Sequence, residues 1–85
     1  MNNYEVLMKM YKISEKKAKK WISEGTTVYS DFEEHLDSYI EELFFDEEDK
    51  EAVRNMVATG KPVLDWEIYI DEEDEGKKYY ISRIF

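Results

Sequence analysis

The sequence predicts an α+β domain: about four short helices followed by a C-terminal antiparallel β-hairpin packed on them. Three observations predict it. Up to Pro62 the apolar residues recur at helical spacings, and after Pro62 they alternate with polar residues as a half-buried strand requires. Of the 85 residues, 42% are apolar and 15% aromatic, more than a disordered acidic chain holds, so a core is expected despite a net charge of −9. Apolar material on this scale supplies one core, and the expectation is a single domain over residues 1–85.

Tyr4, Leu7, Met8 and Tyr11 fall at i, i+3, i+4 and i+7, one face of a first helix, with Asn3 as its N-cap. Ser14 is placed to cap a second helix. In it Ala18, Trp21 and Ile22 face inward, Lys16, Lys17, Lys19 and Lys20 face water, and Gly25 supplies the left-handed residue that stops it. Residues 26–29 read as an extended link. Ser30 and Glu33 then form an S-x-x-E capping box before the strongest helical pattern in the chain: Phe32, Leu36, Tyr39, Ile40, Leu43 and Phe44. The outer face of that helix carries Glu34, Asp37 and Glu41, flanked by Glu33 and Glu42.

The run Asp46, Glu47, Glu48, Asp49 puts acids at the positive end of a fourth helix, whose apolar stripe is Ala52, Val53, Met56 and Val57 and whose end is marked by Gly60 and Pro62. Beyond it Leu64, Trp66, Ile68 and Ile70 alternate against Asp65, Glu67, Tyr69 and Asp71 in a first strand. A second strand runs from about Lys78 to Phe85, with Tyr79, Ile81, Arg83 and Phe85 on one face and Tyr80, Ser82 and Ile84 on the other. The acidic segment from Asp71 to Gly76 is the turn between them. An isolated hairpin is marginal in water, so its apolar face is expected to pack on the helices.

Charge is segregated along the chain. Residues 1–25 carry a net +3, residues 26–76 hold eighteen carboxylates against three cations, and residues 77–85 return +3. An excess of this size costs the folded state self-repulsion, and a basic partner would give it a use. It argues against anionic membrane surfaces and against direct binding of nucleic acid. One His, no Cys and no phosphate-loop glycines leave only carboxylates as acid–base groups, so no enzyme and no cofactor are expected. Neither acidic run, 46–49 or 71–75, has the D-x-[DN]-x-[DN]-G spacing that wraps oxygens around a cation, so no metal site is expected. The N-terminal MNNYEVLMKMYK has neither a signal-peptide apolar stretch nor a membrane-spanning run, which points to the cytoplasm.

Two resemblances bear on function. The segment MYKISEKKAKKWISEG, residues 10–25, resembles the recognition half of a helix-turn-helix: an I-S turn, a buried Ala18, the pair Trp21 and Ile22, and a terminal Gly25. It implies phosphate or base contacts from Lys16, Lys17 and Lys20 in a small regulatory domain. The whole chain, by its size, charge and aromatic content, resembles the small acidic anti-defence proteins of phages, the anti-CRISPR and antirestriction inhibitors. That resemblance transfers no individual residue. It implies inhibition of a bacterial defence nuclease by a DNA-mimicking surface that fills its basic cleft.

The carboxylate density suits such a cleft, since duplex DNA presents one negative charge about every 1.7 Å and its readers line their channels with Lys and Arg. The candidate partner-binding residues are Glu34, Asp37 and Glu41 as one row, Asp46, Glu47, Glu48 and Asp49 as a second, and Asp71, Glu72, Glu73, Asp74 and Glu75 as a projecting tip. Tyr69, with Tyr79 and Tyr80, is expected to add aromatic anchors. The remaining reading is a plain acidic interaction or structural domain, without either activity.

Overall fold

The computed structural model describes residues 1–44 and 46–84. Among them are four α-helices, α1 (Asn3–Tyr11), α2 (Glu15–Ser23), α3 (Leu36–Leu43) and α4 (Glu47–Thr59), and three strands, β1 (Val28–Phe32), β2 (Trp66–Glu73) and β3 (Gly76–Arg83). A 3-10 turn, Glu33–His35, leads into α3. The fold is α+β with a C-terminal β2–β3 hairpin, and its sheet has a third strand. The strand order is β1-β3-β2, with both pairs antiparallel.

The helix ends follow local chemistry. Asn2, not Asn3, caps α1: its side-chain oxygen accepts from the Glu5 N–H at 3.0 Å, so the helix starts one residue earlier than its apolar spacing suggests. Ser14 accepts from the Lys17 N–H at 3.2 Å and Asp46 from the Glu48 N–H at 3.0 Å, starting α2 and α4. Gly60 ends α4 in the left-handed region at φ +72, a backbone state that costs other residues about 1–2 kcal/mol.

The reading of residues 26–33 is corrected. Val28 to Phe32 is no link but an edge strand, paired along its length with Ser82 to Lys78 of β3. Ser30 therefore lies in the sheet opposite Tyr80 and caps nothing. Its N–H donates to Tyr39 Oη at 3.1 Å, and no side chain caps the turn that precedes α3. Tertiary pairing of the backbone outweighs the S-x-x-E signal here.

The hairpin also differs in length. β2 extends to Glu73 and β3 starts at Gly76, so Asp71 and Glu72 are strand residues opposite Lys78 and Lys77, and only Asp74 and Glu75 form the tip. Strand assignment to Phe85 lies outside the described residues; β3 ends at Arg83.

Helices cover both faces of the sheet, where one was expected. Directly paired residues of antiparallel strands share a face. Tyr29, Ile68 and Ile81 therefore share one, with Trp66, and meet Ile40 and Phe44 of α3 and Ala52, Val53 and Met56 of α4 in the main core. Phe44 stands edge-on to Trp66 (centroids 5.2 Å, 89°) and packs on Tyr29 at 5.3 Å. Ser30, Tyr69 and Tyr80 share the opposite face under α1 and α2, where Val6, Leu7 and Ala18 are buried. The central strand is thus closed on both sides, and Tyr79, Tyr80, Ile81 and Ser82 are all buried. Ser82 escapes the polar penalty by donating its hydroxyl to the Thr27 carbonyl at 2.9 Å.

Alternation assigns Leu64 and Ile70 to the inward face, but neither is buried. Leu64 is 71% exposed in a tight turn closed by the Trp66 N–H on the Val63 carbonyl, and it holds φ +55, a costly value for a bulky side chain. Two substitutions separate the left-handed positions. Leu64→Asn should raise stability by up to about 1 kcal/mol, because Asn tolerates that region, whereas Gly60→Ala should lower it by about 1 kcal/mol for backbone reasons alone, a Cβ there meeting nothing within 4 Å. Urea unfolding of both variants checks the opposite signs.

Candidate functional site: the acidic strip

The β1–β3 register sets Phe32 opposite Lys78, which carries the 3-10 turn after β1 to the hairpin tip. Glu33, Glu34 and Glu75 consequently border one depression of about 390 Å³ with Phe32, Gly76 and Lys77. Tyr79 Oη lies 3.5 Å from a Glu33 carboxylate oxygen, toward which it donates, tying the turn to the sheet. Down α3, Asp37, Glu41 and Glu42 border a second, wide depression of about 600 Å³ with Ser38 and Arg54. Asp37 and Glu41, four residues apart, share a face of α3, and Glu33 precedes them in the 3-10 turn that leads into it, so the two depressions follow one another along the chain as an acidic strip. Six carboxylates line it against two cations, Lys77 and Arg54.

At its far end the strip is clasped to α4. Arg54 and Lys50 both donate to Glu41, Lys50 at 3.0 Å, and Lys50 also reaches Glu47 at 3.5 Å. The Arg54 hydrogen bond, then that of Lys50, holds the Glu41 carboxyl below its usual 4.5, and the same contacts raise Lys50 and Arg54. A carboxyl lowered on folding contributes stability that is complete above its unfolded value and is lost as pH falls through the folded one. Glu41→Gln should therefore lower the thermal midpoint at pH 7, by an amount that shrinks as pH falls below 4.5 and through the lowered folded value. Thermal melts across that range check it.

The candidate residues from the sequence separate into groups. Glu34, Asp37, Glu41 and Glu75 lie on the strip, and Glu47 joins its end through Lys50. Asp46 is a helix cap. Glu48 points to the other flank of α4, where it borders a hollow with Glu51, Asn55 and Leu64. Asp49 faces Arg83 at 3.6 Å, and that guanidinium stacks 4.5 Å above Trp66, so this carboxylate braces α4 against β3. Asp71 and Glu73 lie on the α1/α2 face of the sheet, Glu72 on the α3/α4 face, and Asp74 at the tip.

Tyr69 does not join the strip: it is half-buried on the α1/α2 face, 6.2 Å from Tyr80, with Lys9 Nζ 5.7 Å from its ring centroid. Tyr79 and Tyr80 are core residues rather than anchors, being 5% and 2% exposed. Glu33 and Glu42, read as flanking positions, are part of the strip, Glu33 from the 3-10 turn and Glu42 from α3. Asp65 and Glu67 lie apart, near the Tyr11 hydroxyl, whose pKa is raised first by burial and then by these charges.

The lysine-rich helix is on the opposite side of the molecule. Tyr11 of α1 meets Trp21 of α2 edge-on at 5.2 Å, and Ser14, Lys16, Lys17, Lys20, Trp21 and Glu24 border a groove of about 330 Å³. Among the described residues no group of three or more His, Cys, Asp or Glu is arranged to hold a metal ion, and no helix is long and apolar enough to cross a membrane. Compared with protein-family models, curated proteins and solved structures, the chain matches none.

Proposed function

We propose that the protein is a non-enzymatic inhibitor that acts in the bacterial cytoplasm, setting its acidic strip into the basic nucleic-acid cleft of a defence nuclease of the CRISPR or restriction type. The observation that carries this reading is the meeting of Glu33, Glu34 and Glu75, from a turn and a distant hairpin tip, at one depression, with Asp37, Glu41 and Glu42 at a second on the helix that follows the turn. Like charges gathered from separate elements repel one another in the free protein, and a cationic groove relieves that repulsion on binding. The clasp of Glu41 by Arg54 and Lys50 fixes one end of the strip, so less ordering remains to be done in the complex.

Function is tested in cells. The protein is expressed in bacterial strains that each carry one CRISPR or restriction system, and phage plating is measured. Restored plating in at least one strain, lost when Glu34, Asp37, Glu42 and Glu75 are made neutral, is the expected result. Unchanged plating across both classes of system, with the protein present and folded, rejects this function.

A further inference from the structure

We infer that the outer face of α2 is a contact site for single-stranded nucleic acid, with Trp21 as the surface on which a base stacks and Lys16, Lys17 and Lys20 as the phosphate contacts. The whole-chain charge argues the other way, but the six carboxylates of the acidic strip border depressions that share no residue with the α2 groove, and the acids on the α1 side of the sheet are Asp65, Glu67, Asp71 and Glu73. α1 lies on one face of the sheet with α2 packed against it, and α3 and α4 lie on the other, in a molecule 32 × 32 × 21 Å across. Fields between exposed charges fade over about 8 Å at physiological ionic strength, so a strand at α2 is largely screened from the acidic strip.

Four features of the groove point to a strand. Lys16 and Lys17 have no carboxylate within ion-pair distance among the described residues, whereas Lys19 and Lys20 face Glu15 and Glu24 at 3.7 and 3.8 Å. Exposed pairs of that length are weak and exchange readily for a phosphate. Trp21 is only half-buried, and it borders the same groove as Lys16, Lys17 and Lys20. Lys17 Nζ lies 5.4 Å from the Trp21 ring centroid, so a phosphate drawn to this ammonium brings its base to the indole. Cations tracking a backbone beside an aromatic plate are the elements of sequence-tolerant single-strand binding, with stacking worth about 1–3 kcal/mol per base. A duplex reader needs cations on flanking elements as well, and α2 is bounded by Glu15 and Glu24.

The experiment titrates the full chain into fluorescein-labelled oligothymidine at low salt, following anisotropy and tryptophan emission together. Binding with quenched emission is expected, with a log affinity against log salt slope of about −2, at about −0.7 per phosphate for three contacts. Lys16→Ala, Lys17→Ala and Lys20→Ala combined should weaken it at least about tenfold while the circular dichroism stays unchanged, since Ala favours the helix. Neutralising Glu34, Asp37, Glu42 and Glu75 should leave it unchanged or stronger, so this site stands or falls apart from the acidic strip. No binding at low salt, equal affinity in the triple variant, or duplex bound as tightly without quenching would each overturn the inference.

Discussion

Neutralising Glu34, Asp37, Glu42 and Glu75 together, as Gln or Asn, should weaken binding to the target nuclease at least about a hundredfold and leave the thermal midpoint unchanged or higher. An exposed charge pair contributes about 0.2–1 kcal/mol, and a hundredfold is about 2.8 kcal/mol, so four contacts of about 0.7 kcal/mol each suffice. Stability moves the other way because Asp37 and Glu42 border one depression and Glu34 and Glu75 another, and removing their charge relieves repulsion in the free protein. Calorimetry of binding beside a thermal melt of the same variant separates the two effects. A parallel loss of affinity and of midpoint would mean that these carboxylates hold the fold rather than the partner.

Trp66→Ala should be the most damaging single change to the fold. Trp66 is 2% exposed and is one of the largest side chains of the main core, with Phe44 edge-on at 5.2 Å, Tyr29 at 6.5 Å, and the Arg83 guanidinium at 4.5 Å above its ring. Truncating a buried Trp costs about 3–5 kcal/mol, against a total stability of roughly 4–13 kcal/mol for a domain of this size. The variant should lose about 3–5 kcal/mol of stability, seen as a large drop in the urea midpoint and in the thermal midpoint of helical circular dichroism.

Trp66→Phe should be far milder. The Trp66 indole N–H is buried with no hydrogen-bond partner, and removing an unsatisfied donor of that kind returns about 1–3 kcal/mol against the volume lost. A Phe variant as damaged as the Ala variant would mean that the N–H is satisfied in solution.

What the sequence makes legible follows from how local each interaction is. Ser14, Asp46 and Gly60 act on backbone groups within a few residues, and each marks its helix end as the residue type suggests. The apolar faces of α3 and α4 are legible for the same reason, Ile40, Phe44, Val53 and Met56 being buried as their spacing requires. β1 is not legible. All five of its residues are half-buried, so no alternation marks them, and its partner strand lies at the far end of the chain. β3 hides its place in the sheet similarly: Tyr79 to Ser82 are buried on both sides because helical layers cover both faces.

The acidic strip shows the same division. Asp37 and Glu41 can be read along α3, but the approach of Glu75 to Glu33 and Glu34 is fixed by the β1–β3 register, which depends on a strand the sequence does not reveal. The diversion of Asp49 to Arg83 is equally non-local, and it leaves one acidic run divided among a cap, a brace, a strip neighbour and a residue on the far flank.

Competition for the cleft bears most directly on the acidic strip. A nuclease identified by restored phage plating is incubated with labelled DNA substrate and increasing protein, and the apparent affinity for DNA is measured at two salt concentrations. If the strip fills the cleft, DNA is displaced competitively, displacement weakens as salt rises, and the variant neutral at Glu34, Asp37, Glu42 and Glu75 fails to displace it. A ternary complex of protein, nuclease and DNA, with the DNA affinity unchanged, would contradict it.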